Sequence, residues 1–547
     1  MEKHRRPKRG HTYSPSIDGM VRSGRTLGVQ PRSYQPNKSQ PTPTLGNFVG
    51  MTDGFHPAQA TARGADEAEA AEAQMLDEPI VLDHIESRKR KVGFWRRHLK
   101  LKKFIRRIAL ALMLIILAGG AYFGYKIYHT QKKVLQGGGK SLTVCNDNVD
   151  PSLLTQEGDS RINILLLGIG GPGHDGPNLT DTIMLASIDP ITDKADLLSI
   201  PRDLWVRIPG AGYSKINAAY QDGIDRSTSK TDSGQRADGL ALLDKTLAPV
   251  LDGVKIQYHV LFDFSAFKQM VDALGGVTVN VPETLYDPTI AWENHRNPVI
   301  ARKGIQIFNG QQALLYARSR ETSSDFARGE RQRLLISAIK EKAFTAGTFA
   351  NPIKVSSLLD SLGNNVYTDF DSTNIKCLYH QLQTIPSSSI KSIDLVTPPN
   401  QLVTTGSEPF GGTIASVVEP VAGVGNYNDI HTFLHTQLPD GTIKKENASV
   451  AIYNATDTTG LASAEATLLK SYGYNVTKSD STPSTTNPSS TVIVDLSNGQ
   501  DKYTLHYLET RYGVTTVSKL PSDIGITPPV GTKFVIILGN DVSLPSQ

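Results

Sequence analysis

Cysteine is nearly absent from this chain: Cys145 and Cys377 are the two in 547 residues. At most one internal disulfide is open to it, and the sequence does not show whether the two meet in space. Long apolar runs are missing too, with one exception. Ile108–Tyr125 (IALALMLIILAGGAYFGY) is eighteen residues without a charge. Nothing after it is long enough to cross a bilayer, which excludes a second span. The common nucleotide signatures are also absent. The glycine-rich loop at 169–181, IGGPGHDGPNLTD, carries no Gly-Lys-Ser/Thr and no properly spaced glycine set, so it is neither a P-loop nor a dinucleotide fingerprint. Residues 447–543 lack paired carboxylates, a His/Cys cluster and a nucleophile motif, which leaves that stretch a binding or spacing role. The N-terminal tail has no helix-turn-helix or zinc-finger pattern, so nucleic acid is not an expected partner.

What the chain does have is unevenly placed. The net charge of +4 hides 21 Lys/Arg against 11 Asp/Glu in residues 1–107, and 36 against 42 in the remainder. The first eighty or so residues are rich in Pro, Ser, Gly, Gln and charge, and read as disordered. Arg88–Arg107 then packs eleven Lys/Arg around Phe94, Trp95 and Phe104, directly before the apolar run. Extended to Tyr128 across Lys126, that run reaches the roughly 20 residues of a membrane-spanning helix. A cleaved signal peptide fits poorly, because a long tail precedes the run and no small-residue cleavage site follows. The cationic flank stays cytoplasmic, so everything after 128 is expected outside. Both cysteines lie on that side, where a disulfide is permitted.

The external part begins with a polar stalk, 129–160. Near-continuous apolar strands follow at Asn163–Gly168, Thr182–Ile188 and Ala195–Ile200, the pattern of an α/β sheet covered on both faces. Asp181 lies where the glycine loop enters the second strand. Arg202 and Asp203 lie just past the third. Loops beyond strand ends are where such sheets place ligands, although each aspartate also suits a turn or a helix cap. Lys215 falls in a loop before a short helix. Residues 226–238 read as a polar surface loop, Phe264–Leu274 as an amphipathic helix, and Pro288–Gly304 as irregular. Residues 350–440 complete the domain, and 447–543 form a small α/β module.

The densest chemistry is Tyr316–Gln332, YARSRETSSDFARGERQ, with Arg318, Arg320, Arg328 and Arg331 around Asp325 and Gln332. On an extended backbone Arg318 and Arg320 point to one side. On a helix Arg328, Arg331 and Gln332 share a face. Converging guanidinium forks suit a ligand with several phosphate oxygens. A salt-bridged helix start capped by Asp325 is the other reading.

Six landmarks in order resemble the LytR–CpsA–Psr family: Asn163–Gly168, Thr180–Thr182, Leu198–Asp203, Lys215–Ala219, Val271–Val277 and Arg318–Gln332. The likeness is strong over 161–345 and looser to 440. The module at 447–543 resembles the LytR C-terminal domain. The resemblance implies an external α-β-α catalytic domain (161–440) with a central mixed sheet. It implies a membrane-anchored phosphotransferase that attaches an undecaprenyl-pyrophosphate-linked glycopolymer, such as teichoic acid or capsule, to peptidoglycan. Arg202, Arg318, Arg320, Arg328 and Arg331 would bind the pyrophosphate, helped by Lys215 and Gln332. Mg²⁺, with Mn²⁺ as a substitute, would be held by Asp181, with Asp203 as a second candidate. The prenyl tail would occupy an apolar tunnel under the sheet. Arginine does not give up its proton usefully, so Asp181, Asp203 and Asp325 are the candidates for general base. Two positions depart from the family: Ile169 and its neighbouring glycines stand where many members carry an aspartate, and Leu179 where they carry an arginine. His174 or Asp175 could substitute as ligands. Three other readings remain at this level: a pyrophosphatase acting on the same lipid, a non-catalytic glycan-binding scaffold, and a regulator of the attenuator type.

Overall fold

The structure, a computed structural model, describes residues 138–146, 148–319, 325–345, 363, 365–396, 400–483, 485–522 and 524–544, with Met113 and Tyr125. The basic tail 1–107 and the apolar run 108–128 lie outside the described residues, except for those two positions. Among the described residues no helix is long and apolar enough to cross a membrane. The chain divides into Met1–Leu114 and Ile115–Gln547, and the second holds the folded elements that follow.

Its first strands are the apolar runs of the sequence: β1 (Ile162–Ile169), β2 (Thr180–Asp189) and β3 (Lys194–Ile200). A ribbon follows, β4 (Trp205–Ile208) with β5 (Gly212–Lys215), and then helices α1 (Ala218–Asp225) and α2 (Asp232–Leu251). Helix α2 begins inside the stretch expected to be a polar loop. The Thr231 side chain accepts from the Gly234 N–H and caps it, a start signal hidden among the surrounding Ser, Thr and Asp. Next come β6 (Tyr258–Asp263), α3 (Phe264–Ala273), β7 (Val277–Val281), β8 (Leu285–Tyr286), β9 (Val299–Ala301) and β10 (Gly304–Phe308). Helices α4 (Gly310–Arg318) and α5 (Asp325–Thr345) carry the arginine stretch. Arg318 is thus the last residue of a helix, not part of an extended segment. The domain ends with β11 (Val366–Thr368), α6 (Ser372–Thr384), β12 (Ile390–Asp394), the hairpin β13 (Val403–Phe410) and β14 (Thr413–Pro420), α7 (Asn428–Gln437) and α8 (Gly441–Glu446).

The central sheet has the order β11-β6-β1-β2-β3-β12. It is mixed. β1, β3, β6 and β12 run one way; β2 and β11 run the other. Alternate residues feed two cores, as a sheet covered on both faces requires. Leu165, Leu167, Ile183, Leu185 and Leu198 pack with Tyr220, Leu243 and Leu247 of α1 and α2. Ile162, Ile164, Met184, Ile188 and Leu197 face Phe370 and Leu378. A third cluster joins β7, β8, β9 and β10 to α4 and α5.

The C-terminal module, β15 (Ser449–Asn454), α9 (Leu461–Ser471), β16 (Asn475–Ser481), β17 (Val492–Asp495), α10 (Lys502–Tyr512) and β18 (Phe534–Leu538), forms a sheet of order β16-β15-β18-β17.

The segment expected as a stalk differs most from its reading. From residue 138 it lies against the folded parts as a strap. Gly139 N–H donates to the Asp369 carbonyl at 3.1 Å, and a Cβ at Gly139 would sit 2.4 Å from the Tyr258 ring. Val144 is buried in the sheet core. Cys145 is disulfide-bonded to Cys377 on α6, Cα–Cα 5.1 Å. Val149 and Leu154 enter the core of the C-terminal module beside Tyr507 and Leu508. A few buried apolar residues spaced along a polar stretch give no periodic signal, so the sequence alone did not reveal the strap.

Candidate functional site

The strand ends place the site. β1, β3, β6 and β12 all finish at one edge of the sheet, where β2 begins. Backbone bonds knit that edge together. Thr180 N–H donates to the Asn217 carbonyl at 3.2 Å, Asn217 N–H to the Arg202 carbonyl at 3.2 Å, and Val418 N–H to the Asp203 carbonyl at 2.9 Å. The turn after β3, the entrance to β2 and the end of the β4–β5 ribbon are thereby fixed to one another.

Four sequence-predicted residues meet there as an alternating chain of charge. Arg202 Nη1 donates to Asp181 Oδ1. Arg202 Nε is 3.7 Å from Asp203 Oδ2, and Lys215 Nζ is 2.9 Å from Asp203 Oδ1. The four side chains keep between 19% and 35% of their exposure. The pairs are partly open to water, so the oxygens of an incoming phosphate can reach the cations and replace the carboxylates as their partners. Gln332 of α5 joins the group through Thr182, Nε2 to Oγ1 3.3 Å, and Gly329 of the same helix lies against Ser199 of β3.

Arg318 stands at the end of α4. Its Nη1 donates to both carboxylate oxygens of Glu293, at 3.0 and 2.8 Å. Its guanidinium lies 4.7 Å from the centre of the Phe264 ring. His174 of the glycine loop meets that ring edge-on at 4.9 Å, so loop and arginine share one support. Glu293 carries no signal in the sequence, because a single acid within an irregular Pro/Asn/His segment has no spacing to mark it. Asp175 and His174 are exposed. Asp263, at the end of β6, accepts from the Ala266 N–H at 2.7 Å. It lies against Gly171, whose φ of +79° and close contact leave no room for a side chain. Burial pushes the Asp263 carboxyl above its usual range.

Arg328 and Arg331 are buried, at 7% and 6% exposure. Arg331 Nε donates to the Tyr316 carbonyl at 3.0 Å and Nη2 to the Ser319 carbonyl, which ties α5 to the end of α4. Burial lowers its pKa from the ordinary arginine value. Ser319 Oγ in turn donates to Asp287 at 2.8 Å. Arg320 lies outside the described residues, as does the side chain of Asp325, which is the first residue of α5. Among the described residues no group of three or more His, Cys, Asp or Glu is placed to hold a metal ion. Asp181 and Asp203 are brought together by their shared guanidinium, while Ile169 and Leu179 put no ligand beside them.

Residues 122–417 match the model of the LytR_cpsA_psr family. Residues 447–541 match that of the LytR cell envelope-related transcriptional attenuator. A polyisoprenyl-teichoic acid–peptidoglycan teichoic acid transferase, TagU of Oceanobacillus iheyensis, is 33% identical over 277 residues, covering 49% of this chain and 77% of that protein. Its counterpart TagT of Bacillus subtilis is 29% identical over 322 residues, covering 57% and 89%. A solved structure of TagT bound to LIIa-WTA covers 55% of this chain and 95% of its own, at 25% identity and a TM-score of 0.39.

Proposed function

Because the chain belongs to the LytR–CpsA–Psr family, whose model spans more than half of it, we propose that it is a membrane-anchored phosphotransferase joining a polyprenyl-pyrophosphate-linked glycopolymer to peptidoglycan. The observation that carries this reading is the partly exposed chain Asp181–Arg202–Asp203–Lys215 at the strand ends. Residues 108–128 would be the anchor, with the N-terminus cytoplasmic and the site outside. No ATP is available there, so the donor must bring its own activated bond, as a lipid pyrophosphate does.

On donor binding, Arg202 and Lys215 exchange their carboxylates for pyrophosphate oxygens. Arg318, already oriented by Glu293 and Phe264, supplies a third cation. A hydroxyl of the acceptor glycan attacks the glycan-proximal phosphorus, and the bond from that phosphorus to the bridging oxygen breaks. Polyprenyl phosphate leaves with the electron pair. The hydroxyl proton passes to a carboxylate released from its ion pair, Asp181 or Asp203. Charge develops on phosphoryl oxygens, so fixed cations stabilise the transition state more than the ground state. The same two carboxylates suit Mg²⁺ or Mn²⁺, hard cations content with one or two carboxylates plus phosphate oxygens and water. Such an ion would neutralise pyrophosphate charge. The prenyl tail is assigned to the sheet face where Leu166, Val260 and Ile336 are only partly buried.

The test incubates the full-length chain with Mg²⁺, a short-chain prenyl-pyrophosphate glycan and peptidoglycan oligomers, followed by mass spectrometry. A phosphodiester-linked product is expected. Arg202→Ala and Asp181→Ala should each lower its rate by about 10²–10³-fold. Arg202→Lys should not restore it, because an ammonium cannot reproduce the planar fork. Prenyl phosphate without linked product would replace the transferase with a pyrophosphatase. Donor binding without turnover would replace it with a scaffold.

A further inference from the structure

The β4–β5 ribbon starts where the charged chain ends, and the chemistry above leaves most of it unused. Trp205 pairs with Lys215 across the ribbon, and Arg207 with Tyr213. Directly opposed residues, and residues two apart, project from one face. Lys215, Trp205, Tyr213 and Arg207 therefore form a continuous row leading away from the site, joined to it by the ion pair of Lys215 with Asp203. Trp205 is its floor, only 4% exposed. Tyr213 stacks over it at 6.4 Å with 23° between planes, and Phe410, from the tip of the β13–β14 hairpin, meets it edge-on at 5.9 Å. Tyr213 and Phe410 keep 45% and 40% of their surface open to water. A short ribbon needs one buried anchor to hold it, and Trp205 is that anchor. It does not need two further aromatic rings held half in solvent.

We propose that Tyr213 and Phe410, two rings set steeply to one another about Trp205, form an angled platform against which the sugar rings of the acceptor glycan pack, delivering its reactive hydroxyl to the Lys215–Asp203 end. This rests on the transferase reading. The occupant is a chain of pyranose rings because such a ring has an apolar C–H face and a hydroxyl rim. Aromatic planes suit the face, and the flanking Arg207 suits the rim. The row is continuous with the site at one end and open at the other, as a polymer requires.

The test titrates the full-length chain, without donor, with a chitin oligosaccharide, and reads binding by ligand-observed NMR. Saturable binding is expected. Tyr213→Ala and Phe410→Ala should each weaken it about tenfold, the loss of one aromatic contact, while Phe410→Tyr should bind like the parent. Arg202→Ala, which disables the donor end, should still bind the sugar, so failure of the transferase reading is scored separately from failure of the platform. No saturable binding by the parent, or unchanged binding in both alanine variants, would overturn the proposal. So would binding to anionic phospholipid vesicles that the same variants abolish when the sugar gives no response.

Discussion

His259 on β6 is held by two carboxylates. Its Nδ1 is 2.7 Å from Asp369 Oδ2 and its Nε2 is 3.0 Å from Asp244 Oδ1. Burial by itself would push its pKa down, but hydrogen bonds and charge from Asp244 and Asp369 outweigh that and raise it to about 9. An unfolded histidine titrates near 6.5. The folded value is the higher, so the imidazolium's contribution is fully present below about pH 6.5 and is lost as pH rises through about 9, on the order of 3 kcal/mol in all. The midpoint of thermal unfolding should therefore fall between pH 7 and pH 10 more steeply in the parent than in His259→Gln. Parallel profiles would remove the ion triad from the account of stability. The charge-bearing residues around the donor were easier to read than this one, because Arg202, Asp203 and Arg318 sit in short, dense motifs. His259 is a lone histidine in an apolar strand, and its two partners come from 15 and 110 residues away.

Helices α1 and α2 cross where two glycines meet. A Cβ at Gly223 would stand 2.6 Å from Gly239 Cα and 2.8 Å from the Asp238 carbonyl oxygen, both backbone atoms that cannot swing aside. Gly223→Ala should cost about 2–3 kcal/mol in denaturant unfolding. It should also disturb Asn217 at the start of α1, and with it the entrance to β2. The opposite is expected at Gly329 in α5, where the nearest atom to an added Cβ is Ser199 Cβ at 3.5 Å, an ordinary contact. Gly329→Ala should stabilise by about 0.5–1 kcal/mol through helix propensity, and a loss of stability there would mean that α5 packs closer to β3 than described. Legibility at this scale followed hydrophobic pattern. The first three strands were plain as near-continuous apolar runs. The β13–β14 hairpin was not, because it alternates too little and exposes too much. Neither the strand order nor the antiparallel insertion of β2 has a local signature, since both are settled by which faces bury best together.

The catalytic domain and C-terminal module are joined by polar contacts as well as by apolar burial. Arg511 Nε donates to Glu157 at 2.8 Å, with side chains only 17% and 10% exposed. Tyr474 OH donates to the same carboxylate at 3.0 Å, and Tyr507 OH to Asp440 at 2.9 Å. Burial works against the charge on Arg511, but Glu157 more than offsets it and holds the pKa above the ordinary value. Removing Arg511 leaves the buried Glu157 carboxylate with the Tyr474 hydroxyl but without its counter-charge. Arg511→Ala should thus cost about 3–5 kcal/mol and split one calorimetric transition of the parent into two. A parent that already melts in two steps, unchanged by the substitution, would make the module an independent appendage. The sequence could not anticipate this joint, because Glu157 lies in the segment that read as stalk.

The strap has a mechanical consequence. The Cys145–Cys377 bond spans 232 residues of sequence, and every described site residue from Asp181 to Gln332 lies inside the loop that it closes. Tension applied between residue 138 and the C-terminus crosses from the strap to α6 through sulfur and bypasses the loop. The chain segments that hold the charged side chains lie off the covalent path of that load, which reaches them only through hydrogen bonds such as Val418 N–H to the Asp203 carbonyl.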